Sequence, residues 1–398
     1  MGLPARQPVH ARHRHAAGGD HDHRSAPAKH GADRRGHADR LMLRALALAL
    51  ALVLSGAGAG HAETLRIATY NTELARRGPG LLLQDILKGD EQVAAVVAVI
   101  EDADPDVILI TDFDHDTEGH ALAAFAALFG EGAYPFTFAG PPNAGVVSGL
   151  DLDGNGRLGE ARDSQGYGRF TGQGGMAVLS RLPLGEVRDF SGFLWADLPG
   201  AIAPEVDGAP FPSAAAHAAQ RLSSVAHWDV PVETGTGPLH LLAFHATTPV
   251  YDGPEDLNGR RNHDEIAFWL RLMDGDLPFP PPEGPVVVIG DANLDPADGD
   301  GRREAIRTLL SDPRLQDPEP SSPGGQAAAN PAHTGDPGLD TADWTDPVPG
   351  NLRVDYVLPD AGLNVTGAGV IWPVDGPMAA TVEAASRHRL VWVDIALP

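Results

Sequence analysis

The chain has 398 residues, 42% of them hydrophobic, which supplies a sizeable core and excludes intrinsic disorder. It contains no cysteine, so disulfides, zinc–thiolate sites and thiol nucleophiles are excluded as well. Residues 1–62 carry 9 Lys+Arg and 4 Asp+Glu, which leaves 20 basic and 50 acidic side chains in residues 63–398, a net charge of −30. A surface that acidic disfavours a polyphosphate backbone, whose capture rests on Lys and Arg, but it does not forbid a metal-bridged phosphate. Solubility in salty surroundings is the plainer reading of the same charge.

Residues 1–41 are rich in His, Arg and Gly and show no apolar period. A His-rich tract can bind metal, but Met42 as the natural start accounts for the segment more simply. The run LMLRALALALALVL (41–54) is too short to span a bilayer comfortably and is interrupted by Arg44. Positive charge before it and small residues after it, ending at Ala62, predict a secretory signal and export, with an uncleaved anchor as the alternative. Residues 1–62 are therefore set apart as extension and signal, and residues 63–398 are read as one catalytic domain.

From Thr64 onward short β-type runs alternate with helical stretches. LRIATYN (65–71), DVILITDFD (106–114), GGMAVLSRLPL (174–184), LHLLAFHATTP (239–249), GPVVVIGDANLDP (284–296), LRVDYVLP (352–359) and RLVWVDIAL (389–397) read as strands. DEQVAAVVAVIEDA (90–103), HALAAFAALF (120–129) and RRNHDEIAFWLRLM (260–273) have helical spacing. Several strands are apolar at successive positions, which means burial on both faces. The Gly/Pro/Asp-rich stretches 140–173, 191–219 and 312–351 are long for structureless connections and read as functional rims.

The chemistry sits where buried strands end. Asn71 closes the first strand, Asp112 and Asp114 the next, and His245 closes LLAFH. Asp291 and Asn293 follow VVVIG, Asp355 interrupts LRVDYVL, and His388 opens the last strand. An Asp after a strand is by itself more often a turn residue, and a lone His more often structural. Their recurrence on successive strand ends is harder to explain by turn chemistry, because loops from different strands converge into sites. Carboxylates and Asn suit Mg²⁺ or Mn²⁺, and carboxylate or imidazole can take a proton from water, the mixture that phosphoester hydrolysis needs.

The ordered set ATYN, ILITD, VLSRLPL, LAFHATTP, VVVIGDANLDP, LRVDYVLP and SRHRLVWVDI resembles the endonuclease/exonuclease/phosphatase superfamily over nearly all of 64–397. The resemblance implies a four-layer α/β sandwich, two mixed sheets face to face with helices outside. It implies metal binding by Asn71, Asp112 and Asp291, with Asp112 one methylene shorter than the usual Glu and Asp114 available to help. His245 matches the phosphate-contacting His, Asp291 and Asn293 the pair that orients the attacking water, and Asp355 and His388 a carboxylate–imidazole pair. Either His388 or Asp291 serves as general base. The family's Asp before the last His is here Arg387, which opens two readings: a guanidinium for the substrate phosphate, or a surface Arg.

Further expectations come from loops. DLDGNGRLGEARD (151–163) matches the first half of a Ca²⁺ loop, with Arg162 where the bidentate acid belongs; a plain Asp/Gly loop is the alternative. Tyr167 and Arg261 are candidate substrate contacts, the latter because it opens a helix. The functional expectation is an exported phosphodiesterase or phosphatase. A secreted nuclease is the first alternative. A sphingomyelinase-like lipid enzyme, touching membrane only through its substrate, is another, with FLWADLP (193–199) as its candidate aromatic hairpin. A catalytically dead binding domain would have been expected to lose Asp291, Asn293 or His388. No stable protein partner is evident.

Overall fold

The computed structural model describes residues 64–397. The expected signal segment and the start at Met42 lie outside the described residues. Two mixed sheets dominate. The first runs β12-β13-β1-β2-β4-β3, built from β1 (Thr64–Leu74), β2 (Val107–Phe113), β3 (Phe136–Phe138), β4 (Gly175–Ser180), β12 (Asn364–Val370) and β13 (Val391–Ala396). The second runs β11-β10-β9-β8-β5, built from β5 (Arg188–Asp189), β8 (Ala226–Thr234), β9 (Gly237–His245), β10 (Val286–Asp291) and β11 (Asp355–Pro359). A short β6–β7 hairpin (Glu205–Val206 and Ala209–Pro210) stands apart.

Strand alternation explains the layers. In β1, Leu65 and Ile67 face the second sheet, whereas Ala68 and Tyr70 face helices. In β10, Val287 and Ile289 join the inter-sheet core, whereas Val286 and Val288 pack outward. The continuous apolar runs thus reflect two buried faces on each sheet. On the outer face of the first sheet lie α1 (Leu81–Lys88), α2 (Glu91–Ala103), α3 (His120–Ala127) and, near the C-terminus, α8 (Pro377–Ala385). The long α5 (Leu257–Asp274) and α6 (Glu304–Leu310) cover the second. Two short helices, α4 (Ala214–Ala219) and α7 (Pro323–Ala327), lie in the long connections. The result is the expected four-layer sandwich.

Direction and register place the chemistry. β1 runs parallel to β2, and β9 parallel to β10, so all four end on the same edge. β11 and β13 run antiparallel to their neighbours and begin there. In the second sheet Asp291 is registered with His245 on one side and with Asp355 on the other, a row across three strands. Gly290 is required for that pairing. Its φ is 143°, and a Cβ there would meet the Phe244 carbonyl oxygen at 1.9 Å.

The structure adds β8 and β12, which the sequence reading did not include. β8 carries Pro231, which ordinarily demotes a strand, yet Pro231 pairs with His240. β12 is glycine-rich, and Trp392 of β13 covers Gly367 and Gly369, filling space their missing side chains leave.

Candidate active site

The strand ends enclose a cleft of about 750 Å³. Asp291, fully buried, lies directly behind three residues that line it, Asn71, His245 and Asn293. Its Oδ2 accepts a 2.8 Å hydrogen bond from the Asn71 side-chain amide and lies 3.4 Å from His245 Nε2. Its Oδ1 accepts the Asn293 backbone N–H at 2.8 Å. Asn293 is left-handed (φ 50°), a conformation Asn tolerates, and its amide donates back to the Ala246 carbonyl at 3.0 Å. The DAN turn is therefore a clamp that orients one carboxylate and one amide together.

The second half of the floor is a buried dyad. His388 Nδ1 sits 2.9 Å from Asp355 Oδ2, which leaves His388 Nε2 for the cleft. Burial, the largest single influence on His388, pushes its pKa down, but the carboxylates of Asp355 and Asp291 prevail and hold it at about 9. Burial raises Asp355 to about 6, against the pull of His388. At neutral pH the dyad is an imidazolium–carboxylate pair. Thr341 fixes Asp355: its hydroxyl donates to Oδ2 at 2.9 Å and accepts the N–H groups of Val354 and Asp355. That exhausts a hydroxyl's one donor and two lone pairs. Trp344 stands edge-on to the His388 ring, centroids 5.3 Å apart. Ser386 ties the segment to the end of β1 through the Asn71 carbonyl. Thr341 and Trp344 lie in the 312–351 stretch, and nothing in their spacing announced them.

The first sheet contributes through irregularities. Its β1–β2 register shifts between Asn71 and Leu74, and its β2–β4 register shifts between Thr111 and Phe113. Glu73 and Asp112 are left-handed there (both near φ 50°), and both line the cleft. Bulges beside sites re-aim side chains in this way. Asp112 is half-buried, and no hydrogen-bond donor among the described residues reaches its carboxylate. Burial, with Glu73 and Asp114 adding to it, raises Asp112 to about 6. Asp114 has no part in the cleft: its oxygens hold the N–H groups of Gly174 and Arg76.

A divalent cation fits this donor set. Among the described residues, Asp112 is a cleft carboxylate without a donor, and Asp355 Oδ1 is a buried oxygen without a partner. Asp291, Asp355 and His388 each offer a ligand atom within 4.8 Å of the others. Hard oxygens of this kind suit Mg²⁺ or Mn²⁺.

Arg387 lines the cleft but is already engaged. Its Nε and Nη2 pair with Glu73 Oε1, and its backbone N–H donates to Oε2 at 2.8 Å. Glu73, which the sequence reading missed, is held below the usual carboxylate range. Burial, the largest influence, opposes this, and the hydrogen bonds and charge of Arg387 outweigh it. Tyr167 stands at the cleft mouth, 60% exposed.

Two sequence expectations need correction. Arg261 is buried away from the cleft. Its Nε and Nη2 donate to the carbonyls of Leu222, Gln165, Arg221 and Ser223, so it staples loops together and has no exposed face for a substrate. FLWADLP forms no exposed hairpin: Trp195 is 1% exposed and donates to Asp264. In the 151–163 loop, Asp151, Asp153 and Asp163 could share a cation. In that loop Asp151 also accepts the N–H groups of Gly154 and Gly156, and Asp163 those of Leu152 and Glu160.

A two-sheet α/β sandwich with a carboxylate–histidine floor at one strand edge defines a class of phosphoester-processing proteins. The chain belongs to the Endonuclease/Exonuclease/phosphatase family, whose model matches residues 68–388. Members of this family are mostly metal-dependent phosphoesterases. Among solved structures, the chain is similar to an endonuclease/exonuclease/phosphatase from Beutenbergia cavernae DSM 12333. The two share 21% identity over 84% of this chain and 72% of that one, with a TM-score of 0.50. It is also similar to sphingomyelinase C from Streptomyces griseocarneus, at 16% identity over 83% and 99%, TM-score 0.45. Truncated TDP2 from Caenorhabditis elegans matches at 12% identity over 84% and 97%, TM-score 0.43. No curated protein sequence matches.

Proposed function

We propose that the protein is an exported, metal-dependent hydrolase of small phosphate esters. The observation that carries this reading is the row His245–Asp291–Asp355 across three registered strands, with His388 closing it over one cleft. A divalent ion held by Asp112 with Asn71 and Asp291 would neutralise charge on the phosphoryl oxygens. Asp291, fixed by Asn71 and the Asn293 N–H, orients the attacking water and accepts its proton. His388, protonated at neutral pH, donates Nε2–H to a phosphoryl oxygen. His245 Nε2 lies on the leaving-group side of Asp291 in this assignment, ready to assist departure.

Arg387 is the one Lys or Arg lining the cleft among the described residues, and Glu73 neutralises most of its charge. That balance disfavours a nucleic-acid strand, which needs several cations along its backbone. Arg387 Nη1 has no partner among the described residues and is assigned to a phosphate oxygen. Export rests on the apolar run 41–54. Calcium at 151–163 is a separate proposal, tested by whether Ca²⁺ raises the melting temperature of wild type but not of Asp153→Asn.

The test is a panel of bis-p-nitrophenyl phosphate, p-nitrophenyl phosphate and plasmid DNA, each with Mg²⁺, Mn²⁺ or EDTA. Turnover of a small ester with Mn²⁺, abolished by EDTA and by Asp291→Ala, is expected. Arg387→Ala should raise KM about tenfold, the low end for a charge-assisted hydrogen bond at an exposed group. Wild-type turnover in Asp291→Ala would refute the site.

A further inference from the structure

The cleft has two chemistries, a polar floor and apolar walls. Its walls include Trp344, Val348, Pro349 and Leu352 from the segment before β11, and Val250 and Tyr251 from the segment after β9. Val348 is 76% exposed and Tyr251 79%. Single exposed apolar side chains are ordinary. Here they open onto the same cleft as the catalytic floor, and Trp344 already touches the edge of the His388 ring. The apolar wall therefore begins against His388 itself.

Charge points the same way. Beyond the floor the cleft also presents Asp295 and Asp300, and Arg387 is paired with Glu73. Among the described residues, a second phosphate in the substrate would meet carboxylates and no free ammonium. The cleft volume of about 750 Å³ is far more than one phosphate fills.

Resting on the hydrolase reading, we propose that the site takes esters with a single phosphate whose second substituent is an alkyl or aryl group, seated on the Trp344–Leu352 and Val250–Tyr251 walls. Substrate discrimination is then hydrophobic and lies in these two loops.

The test separates binding from turnover. Isothermal titration of the Mn²⁺-loaded full chain with methyl-, butyl-, hexyl- and octylphosphonate, all below their micellar concentrations, is expected to show affinity rising about threefold per methylene, near the full burial value. In Val348→Asp and Trp344→Ser, each with its thermal transition checked, the octyl-to-methyl ratio should fall at least tenfold. The same series as 4-nitrophenyl alkyl phosphates should show a parallel rise in kcat/KM. A flat phosphonate series, or pyrophosphate binding tighter than octylphosphonate, overturns the apolar subsite even if small esters are hydrolysed. A rising phosphonate series without turnover of any ester supports the subsite and refutes the hydrolase reading instead.

Discussion

Replacing Asp355 by Asn probes the dyad at its most informative point. The substitution keeps shape and leaves Thr341 in place, but it removes the charge 2.9 Å from His388 Nδ1. Asp355 is the strongest of the influences raising His388, and burial, stronger still, opposes it. The rise from 6.5 to about 9 corresponds to roughly 3 kcal/mol of preference for imidazolium. With Asp355 neutral, only the charges of Asp291 and Glu73 still oppose burial, and the His388 pKa falls. The sign for stability follows. A histidine raised in the fold contributes stability that is full below about 6.5 and is lost as pH climbs through about 9, and Asp355→Asn should remove most of that dependence. Asn keeps its carbonyl oxygen toward Thr341 and His388 Nδ1, but without the imidazolium charge the Nε2–H donates a weaker hydrogen bond to the phosphoryl oxygen, so kcat should drop by about tenfold. The assay is a ¹⁵N imidazole titration of the metal-free protein, paired with steady-state kinetics. If His388 in Asp355→Asn still titrates near 9, the electrostatic account of the dyad is wrong.

Three other outcomes are expected. Asp112→Asn should weaken Mn²⁺ binding at least tenfold by calorimetry. In metal-free protein at pH 7.5 it should raise stability by about 1–3 kcal/mol, because a carboxylate raised in the fold loses stability as pH climbs from about 3.8 through about 6; unchanged Mn²⁺ affinity would remove Asp112 from the metal set. Arg261→Met should cost about 3 kcal/mol or more in urea denaturation, because four carbonyls lose their donor, while KM changes little; a raised KM at full stability would restore the substrate role. Burial raises Glu265 to about 7 despite Arg261 and the donors Ser224 and Thr247. Its stability contribution therefore falls as pH rises from about 4.5 through about 7, and the urea midpoints of wild type and Glu265→Gln should diverge between pH 5 and pH 8, in favour of the variant at pH 8. A pH-independent difference would show Glu265 to be ionised throughout.

The layers and the strand-end residues were legible because both depend on local pattern. Uninterrupted runs such as VVVIG report two buried faces, and a polar residue that stops such a run stands at a sheet edge. Parallel direction at β1–β2 and β9–β10 then brings those stops together. What stayed hidden depends on departures from pattern. Glu73 reaches the cleft only because a bulge turns the backbone left-handed two residues after Asn71. Asp112 and Asp114 looked equivalent two apart on a strand, and a bulge between Thr111 and Phe113 gives the cleft to one and the backbone to the other. Arg261 failed for the opposite reason. A helix start attracts anions in general, but the helix must expose that start, and here loop carbonyls cover it.

The Glu73–Arg387 pair joins these threads. An Arg at the position where the resemblance implies an acid reads alone as lost metal charge or as a new phosphate contact. Glu73 supplies a carboxylate from a neighbouring strand end, so the two residues together keep a negative oxygen beside Asn71 while adding a guanidinium at the rim. Neither residue is interpretable by itself. Arg387→Ala alone leaves Glu73 uncompensated beside the phosphate, so its loss of affinity mixes lost attraction with new repulsion. The double variant Glu73→Gln/Arg387→Ala separates them. If it recovers most of the affinity lost in Arg387→Ala, the arginine serves to neutralise Glu73; if it recovers none, the guanidinium itself holds the phosphate.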